Sequence, residues 1–254
     1  MLDLFGIQRA RFSNRAPVPD RGGQSVPPRA KAVPQRSPRE LTPPEGEHPG
    51  WPEATPAVWL PCGWRVQLRP LMSSDGAQWR AQRIADEAIL RPVEPTLPQG
   101  WRAGHSRAAW WAQMFELREA AKAGTALPLA IEVNGKFCGQ VTMGNIQRGV
   151  VSECWIGYWV FSRYSGRGVA TAACALGTDH AVSRVGMHRV TATYLPANPA
   201  SGKVLRNNGF CEEGFLRRNL HIDGRWQDHY LVAQLAGQYP EGCVERLRAV
   251  GRLR

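Results

Sequence analysis

The stretch Arg163-Tyr164-Ser165-Gly166-Arg167-Gly168 sets two glycines among two arginines, and the chain turns helical from Val169 onward. Glycine lets a backbone approach a ligand with no Cβ in the way and permits positive φ. A helix beginning near Gly168 aims its unbonded N–H groups and positive dipole end back at that loop. Loop and helix start, with Val169 and Ala170 opening the first turn, make an anion site suited to phosphate. Arg163 and Arg167 either add charge there or are simply solvated. Further along, Asn198-Pro199-Ala200-Ser201 starts a short helix closed by Gly209-Phe210. Its amide and hydroxyl read as helix caps or as hydrogen-bonding groups for a ligand. Glu153, His221 and Asp228 are titratable side chains able in principle to do chemistry. Each also has a plain reading: Glu153 as a solvated strand end, His221 as a sheet-face residue, and Asp228 as a partner of Arg225.

These residues need elements to hold them. Gly63–Leu71 alternates apolar and polar residues as a first strand does. Residues 73–90 follow as a helix with Ser73 to Asp75 as caps and Trp79, Ile84, Ala88 and Leu90 on one face. The prolines of 91–101 break it, and a second helix runs from Ser106 to Ala123, ended by Gly124. Two β-rich runs flank Asn134-Gly135, a hairpin signal, and a further strand over 150–161 enters the arginine-glycine loop. A helix from Val169, a strand "HRVTATYL", the short helix after Asn198, and two strands around Asp223-Gly224 complete the order β α α β β β α β α β β. The expected fold class is α+β: a mixed, mostly antiparallel sheet of about six to seven strands flanked by helices, with one crossover helix.

The ends differ from this middle. Residues 1–57 carry 11 of the 20 prolines and little periodic apolar content, so they are expected to be a disordered tail, with a proline-rich docking segment as the alternative. The folded domain is expected over 58–240, and 241–254 as a basic C-terminal helix or tail. No 18-residue apolar run predicts a membrane span, and the first residues lack a secretory signal. Six cysteines without a C-x-x-C pair, four of them in apolar segments, point to reduced thiols, a cytoplasmic protein and no metal site. The net charge of +11 comes mainly from arginines spread along the chain, with only four lysines. Such a surface attracts anionic partners over distance without implying sequence-specific nucleic-acid binding.

The element order and the loop leaving the fourth strand resemble the GNAT superfamily of acetyl-CoA-dependent N-acetyltransferases. Residues 163–168 match that family's Gln/Arg-x-x-Gly-x-Gly/Ala loop in full. Asn198-x-x-Ser201 with Gly209-Phe210, the "IGYW" strand and the "EEGFLRRNLHIDGRWQDHYLVAQL" hairpin resemble its ribosomal-protein-alanine acetyltransferase branch. The resemblance covers about residues 63 to 236.

It implies that acetyl-CoA is the cosubstrate, that no metal is used, and that no covalent enzyme intermediate forms. The backbone of Arg163 to Gly168 would wrap the pyrophosphate. The strand through Tyr158, Val160 and Phe161 would pair with pantetheine and direct one backbone N–H at the thioester carbonyl. Asn198 would hydrogen-bond the pantetheine arm, and Ser201 would stand near the coenzyme A sulfur. The tyrosine that many members place four residues beyond that serine is replaced by Leu205. Glu153 is the first candidate base, with His221 and Asp228 on the acceptor side. The implied acceptor is the N-terminal amine of a ribosomal protein, in particular an N-terminal alanine, with a ribosomal protein or the ribosome as partner. Acetylation of a small amine such as an antibiotic or polyamine is the alternative, as is a non-catalytic coenzyme-binding module. An α-amine, with a pKa near 7.7–8.0 against about 10.4 for lysine, needs only a modest base.

Overall fold

The computed structural model describes residues 48–254. One sheet of eight strands organises them, in the order β1-β2-β3-β4-β5-β6-β8-β7. The strands are β1 (Val58–Trp59), β2 (Arg65–Pro70), β3 (Leu127–Val133), β4 (Lys136–Gln147), β5 (Glu153–Val160), β6 (Arg189–Tyr194), β7 (Cys211–Ile222) and β8 (Arg225–Leu235). The short β1, too brief to show periodicity, is the strand beyond the six or seven expected. All neighbours run antiparallel except β5 and β6, which are joined by the crossover helix α5 (Val169–Ser183). Both hairpins form where expected, with Asn134-Gly135 and Asp223-Gly224 at positive φ.

Helices cover both faces. On one side lie α5, α6 (Pro199–Asn207) and α7 (Gly242–Ala249). α5 is rich in small residues because it lies close on the sheet: a Cβ on Gly177 would come within 3.0 Å of Ile156 and 3.2 Å of Val141. α7 docks through Asp179 of α5, whose carboxylate accepts the N–H groups of Cys243 (2.7 Å) and Val244 (3.0 Å). On the other side α1 (Gly76–Ala85) and α4 (Arg107–Lys122) bury Trp79, Trp110, Met114 and Leu117 against Ala130 and Phe137. Short helices α2 (Glu87–Leu90) and α3 (Trp101–Gly104) lie between them. Ser106 caps α4 by accepting from Ala109 N–H at 3.2 Å.

The buried face of the first helical stretch differs from the apolar one expected. Trp79 and Leu90 are buried, but Gln82, Arg83 and Asp86 are buried beside them, while Ala88 and Ile89 face out. The proline-based tail boundary also moves. Residues 48–57 pack on the α5 side: the Gly50 carbonyl lies 2.8 Å from His180 Nε2, Glu53 pairs with Arg184 at 2.7 Å, and Thr55 is buried. Prolines suit this extended stretch because few of its own N–H groups are needed for a ladder. The rest of the expected tail, residues 1–47, lies outside the described residues. The six cysteines are free, Cys62 and Cys211 exposed and the other four buried. Among the described residues no helix is long and apolar enough to cross a membrane.

Candidate active site

The sheet forks between β5 and β6. Their parallel pairing ends at Trp155 opposite Thr191. Beyond it β5 continues to Val160 paired only with β4, and β6 continues to Tyr194 paired only with β8. The β6-facing edge of β5 from Ile156 to Val160 therefore has no partner strand among the described residues. Strand alternation tells which groups face the gap. Phe161 N–H donates to the Cys138 carbonyl of β4 at 2.8 Å, so Trp159 also faces β4, and Tyr158 and Val160 turn their backbone groups to the open side. An open strand edge of this kind pairs with any extended, amide-bearing chain laid along it.

The loop beyond β5 is anchored from a distance. The buried carboxylate of Asp86 accepts Ser162 N–H and Ser162 Oγ–H, both at 2.7 Å. After the single turn Ser162–Tyr164, the residues Arg163, Ser165, Gly166, Arg167 and Gly168 are all exposed. Gly166 (φ 73°) and Gly168 (φ 90°) occupy the left-handed region. Nothing lies within 4 Å of a Cβ built on Gly166, and α5 starts at Gly168 with no side chain capping it. The first N–H groups of a fifteen-residue helix, from Val169 and Ala170 on, are thus available to an anion above the loop. Arg167 is held: its guanidinium carbon sits 4.6 Å from the Trp64 ring centre, a cation–π contact.

Across the fork stands the start of α6. Asn198 is its cap, its Oδ1 accepting Ser201 N–H at 3.2 Å. Ser201 does not cap the helix. Its Oγ lies 3.3 Å from the hydroxyl of Tyr158, which reaches over from β5 and also lies 3.4 Å from the Ser201 carbonyl. Beyond the backbone role that the resemblance implies for it, the Tyr158 side chain ties the two walls of the fork together. Burial pushes the Tyr158 phenol well above its ordinary value, so it holds its proton. Leu205 is buried in the core and turns no group toward the gap.

The opposite face is closed by two segments distant in sequence. Pro95 bridges to Ile222, Thr96 N–H donates to the His221 carbonyl at 2.9 Å, and Gly224 N–H donates to Thr96 Oγ1 at 2.9 Å. Arg91 pairs with Asp223 at 2.8 Å. An open groove of about 330 Å³ runs between them, lined by Pro95, Leu97, Trp101 and Asp223 among others. Beneath it Arg83 forms a two-point ion pair with Glu94 and donates to His105 Nε2 at 3.0 Å. The rings of Trp79, Trp101 and Trp159 surround its guanidinium at 4.9–5.9 Å. His105 donates from Nδ1 to the Trp101 carbonyl at 2.7 Å. Burial, then the charge of Arg83, lowers its pKa to about 4, so it stays neutral and accepts from the arginine.

The three proton-transfer candidates are not gathered in the fork. Glu153 lies at its closed end, paired with Arg189 at 3.1 Å and accepting from Thr191 Oγ1 at 3.3 Å. It is five residues from Tyr158, roughly 16 Å along the strand. That end of β5 is the wrong one for a base acting at the open edge. Asp228 is engaged by Arg218 N–H at 2.7 Å, closing a bulge in β7 at a residue with φ 47°, and Arg225 is not its hydrogen-bond partner. His221 is exposed, its ring edge-on to Trp226. Sequence reasoning missed Asp86, Arg83, Glu94 and His105. The one available signal was the polar set Gln82, Arg83 and Asp86 lying at helical spacing with Trp79.

The model of the acetyltransferase (GNAT) domain family matches residues 65–211. The structure of RimJ from Mycobacterium smegmatis in complex with CoA-disulfide is 43% identical and superposes with a TM-score of 0.79, covering 82% of this chain and 99% of that one. A ribosomal protein uS5-alanine N-acetyltransferase from Escherichia coli is 28% identical over 175 residues, 64% of this chain and 86% of that protein. A probable N-acetyltransferase of Bacillus subtilis, YjcK, is 36% identical over 100 residues, where the match spans 39% of this chain and 55% of that protein. With its forked sheet and glycine loop, the chain belongs to the GNAT acetyltransferase family and is an acetyl-CoA-dependent N-acetyltransferase.

Proposed function

We propose that this protein acetylates the N-terminal α-amine of a ribosomal protein, with an N-terminal alanine as the preferred acceptor. The observation that carries the reading is the pairing of an open β5 edge with an uncapped α5 N-terminus, opposite a groove closed by residues 91–97 and the β7–β8 tip. Similarity to proteins named for alanine acetylation on a ribosomal protein supports the acceptor class.

Acetyl-CoA supplies the thioester carbon that the amine attacks and the sulfur that leaves. The chain's own groups fit it. The open N–H groups of residues 166–170 suit its pyrophosphate, and Tyr158 and Val160 offer edge-on amides to a pantetheine arm. One of those N–H groups also supplies an oxyanion donor, a kind of contact worth on the order of 10²–10³ in rate. The Asn198 side-chain N–H₂ and the Ser201 hydroxyl flank the same gap from α6. Among the sequence candidates Glu153 and Asp228 are committed elsewhere, and His221 stands exposed near the β7–β8 tip, with β6 and β8 between its strand and β5 in the sheet. Such a site favours an amine that is already partly neutral near pH 7, which an α-amine is and a lysine is not. A polyamine would call for an acidic groove, whereas Asp223 is already neutralised by Arg91.

Incubation of the purified protein with labelled acetyl-CoA and ribosomes, followed by intact-mass measurement, tests this reading. One ribosomal protein should gain a single acetyl group at its N-terminus, and a synthetic peptide of that sequence should be acetylated at the α-amine and not at internal lysines. Preferential lysine modification, or transfer only to small amines, would overturn the acceptor while leaving the family assignment in place.

A further inference from the structure

Tyr158 and Ser201 sit on opposite walls of the fork and meet through their hydroxyls. We infer that Tyr158 is a positioning residue for acetyl transfer: its phenol holds the Ser201 hydroxyl so that the serine's own O–H is free to point at the departing sulfur. The inference rests on the coenzyme reading above.

Three features of the pair lead to it. Ser201 N–H is already spent on Asn198 Oδ1, which fixes the serine's backbone in the first turn of α6. Tyr158 Oη lies 3.3 Å from Ser201 Oγ, a contact in which either hydroxyl can donate, and 3.4 Å from Ser201 O; in the proposed arrangement the phenol donates to Oγ. A serine hydroxyl that accepts from a phenol keeps its own proton for a second partner. With the phenol pushed well above its ordinary value by burial, Tyr158 lends a hydrogen bond rather than a proton. In the transfer the amine nitrogen forms the new C–N bond, the C–S bond breaks, and its electron pair goes to sulfur. The proton lost by nitrogen and the one gained by sulfur balance through solvent, and both hydroxyls end as they began. Leu205 brings no acid or phenol to that place, so the tyrosine on β5 and the serine on α6 act there as a pair.

The test is Tyr158→Phe, alone and combined with Ser201→Ala. The single variant should lower kcat about 3- to 10-fold, the worth of one hydrogen bond, with coenzyme A affinity changed less than about twofold. In the Ser201→Ala background it should cause no further loss. A readout independent of turnover is the titration of the thiol of bound coenzyme A by ultraviolet thiolate absorbance. Both single variants should raise that pKa by the same amount, with the melting temperature close to the parent's. Additive losses, or equal falls in kcat and coenzyme A affinity with a lowered melting temperature, would make Tyr158 a packing clip and overturn the inference. So would an unmoved thiol titration in Tyr158→Phe. Failure of the parent protein to bind coenzyme A would instead remove the site itself.

Discussion

The proposed donor side of the fork is built from backbone and the proposed acceptor side from side chains. On the donor side the working groups are the open edge of β5 and the first N–H groups of α5, set by a glycine loop of six consecutive residues. On the proposed acceptor side Arg91 reaches Asp223 across 132 residues, and Arg83 collects three tryptophans from α1, α3 and β5 together with Glu94 and His105 from the connecting turns. Backbone groups are supplied by every residue, so what matters there is φ, ψ and the lack of a Cβ. Side-chain clusters depend on which residues the tertiary fold brings together. The first kind of site tolerates varied side chains around it, whereas the second is open to respecialisation by single substitutions.

The largest effect should follow from breaking the backbone side. Gly166 has positive φ and open space around it. Gly166→Glu would set a carboxylate where the proposed site holds a pyrophosphate and strain the turn, leaving the packed core untouched. Coenzyme A affinity measured by calorimetry should fall at least about 100-fold, because an attractive anion site becomes a repulsive one. The melting temperature should change little. Retained affinity in the folded variant would refute the claim that this loop is the donor site.

That contrast also explains what the sequence made legible. The glycine loop, both hairpin dipeptides and the strand–loop–helix order are local signals, and the structure has them where the pattern put them. Ser201 and Asn198 stood out through the family resemblance of their motif, but which of the two caps α6 was visible only in three dimensions. Glu153 looked like a base because it begins the right strand; its partner Arg189 lies on β6, which only the sheet register brings alongside. Arg83 and Asp86 were passed over because charged residues on a helix normally face water, and here both are buried with partners.

Asp86 blurs the division between the two sides and so sharpens it when removed. It sits between α1 and α2, on the acceptor-side layer, yet its carboxylate holds Ser162 at the root of the donor loop. Asp86→Ala leaves the half-buried Ser162 N–H and hydroxyl without that partner, a loss of about 1–3 kcal/mol. Coenzyme A affinity should drop roughly tenfold, an effect of that size. Hydrogen exchange should quicken over 162–168 and stay unchanged in the β7–β8 tip. Equal exchange in both regions would show that the latch does not single out the donor loop.

A smaller effect concerns acid stability of the Arg83 network. His105 is neutral in the fold with a pKa of about 4, against an ordinary value near 6.5 in the unfolded chain. Between these values the unfolded chain binds a proton that the folded protein refuses, so stability falls as pH drops from about 6.5 toward 4. The same side chain cannot both accept from Arg83 and carry a proton on Nε2. His105→Gln offers an acceptor to Arg83 and a donor to the Trp101 carbonyl without titrating. Thermal melts at pH 7 and pH 5 should therefore converge more in the glutamine variant than in the parent. His180 and His229, whose pKa values are also lowered by burial, contribute to the acid loss that remains.

The smallest expected effect isolates the acceptor side. Arg91 and Asp223 are more than a third exposed, and their contact sits at the rim of the groove between residues 91–97 and the hairpin tip. Solvent-exposed pairs contribute little to stability and are weakened by salt, so Arg91→Ala should barely move the melting temperature. Its consequence should instead be positional. The hairpin tip keeps its backbone contacts through Thr96 but loses the one charged tie that fixes Asp223. The KM for an alanine-starting peptide should rise a few-fold, the KM for acetyl-CoA should stay put, and added salt should narrow the gap between variant and parent. Restoring the pair in reverse, Arg91→Asp with Asp223→Arg, should recover most of the lost peptide affinity if the tie itself is what matters. A rise in the KM for acetyl-CoA would mean that the backbone-built side leans on this groove, and the division drawn between the two sides would fail.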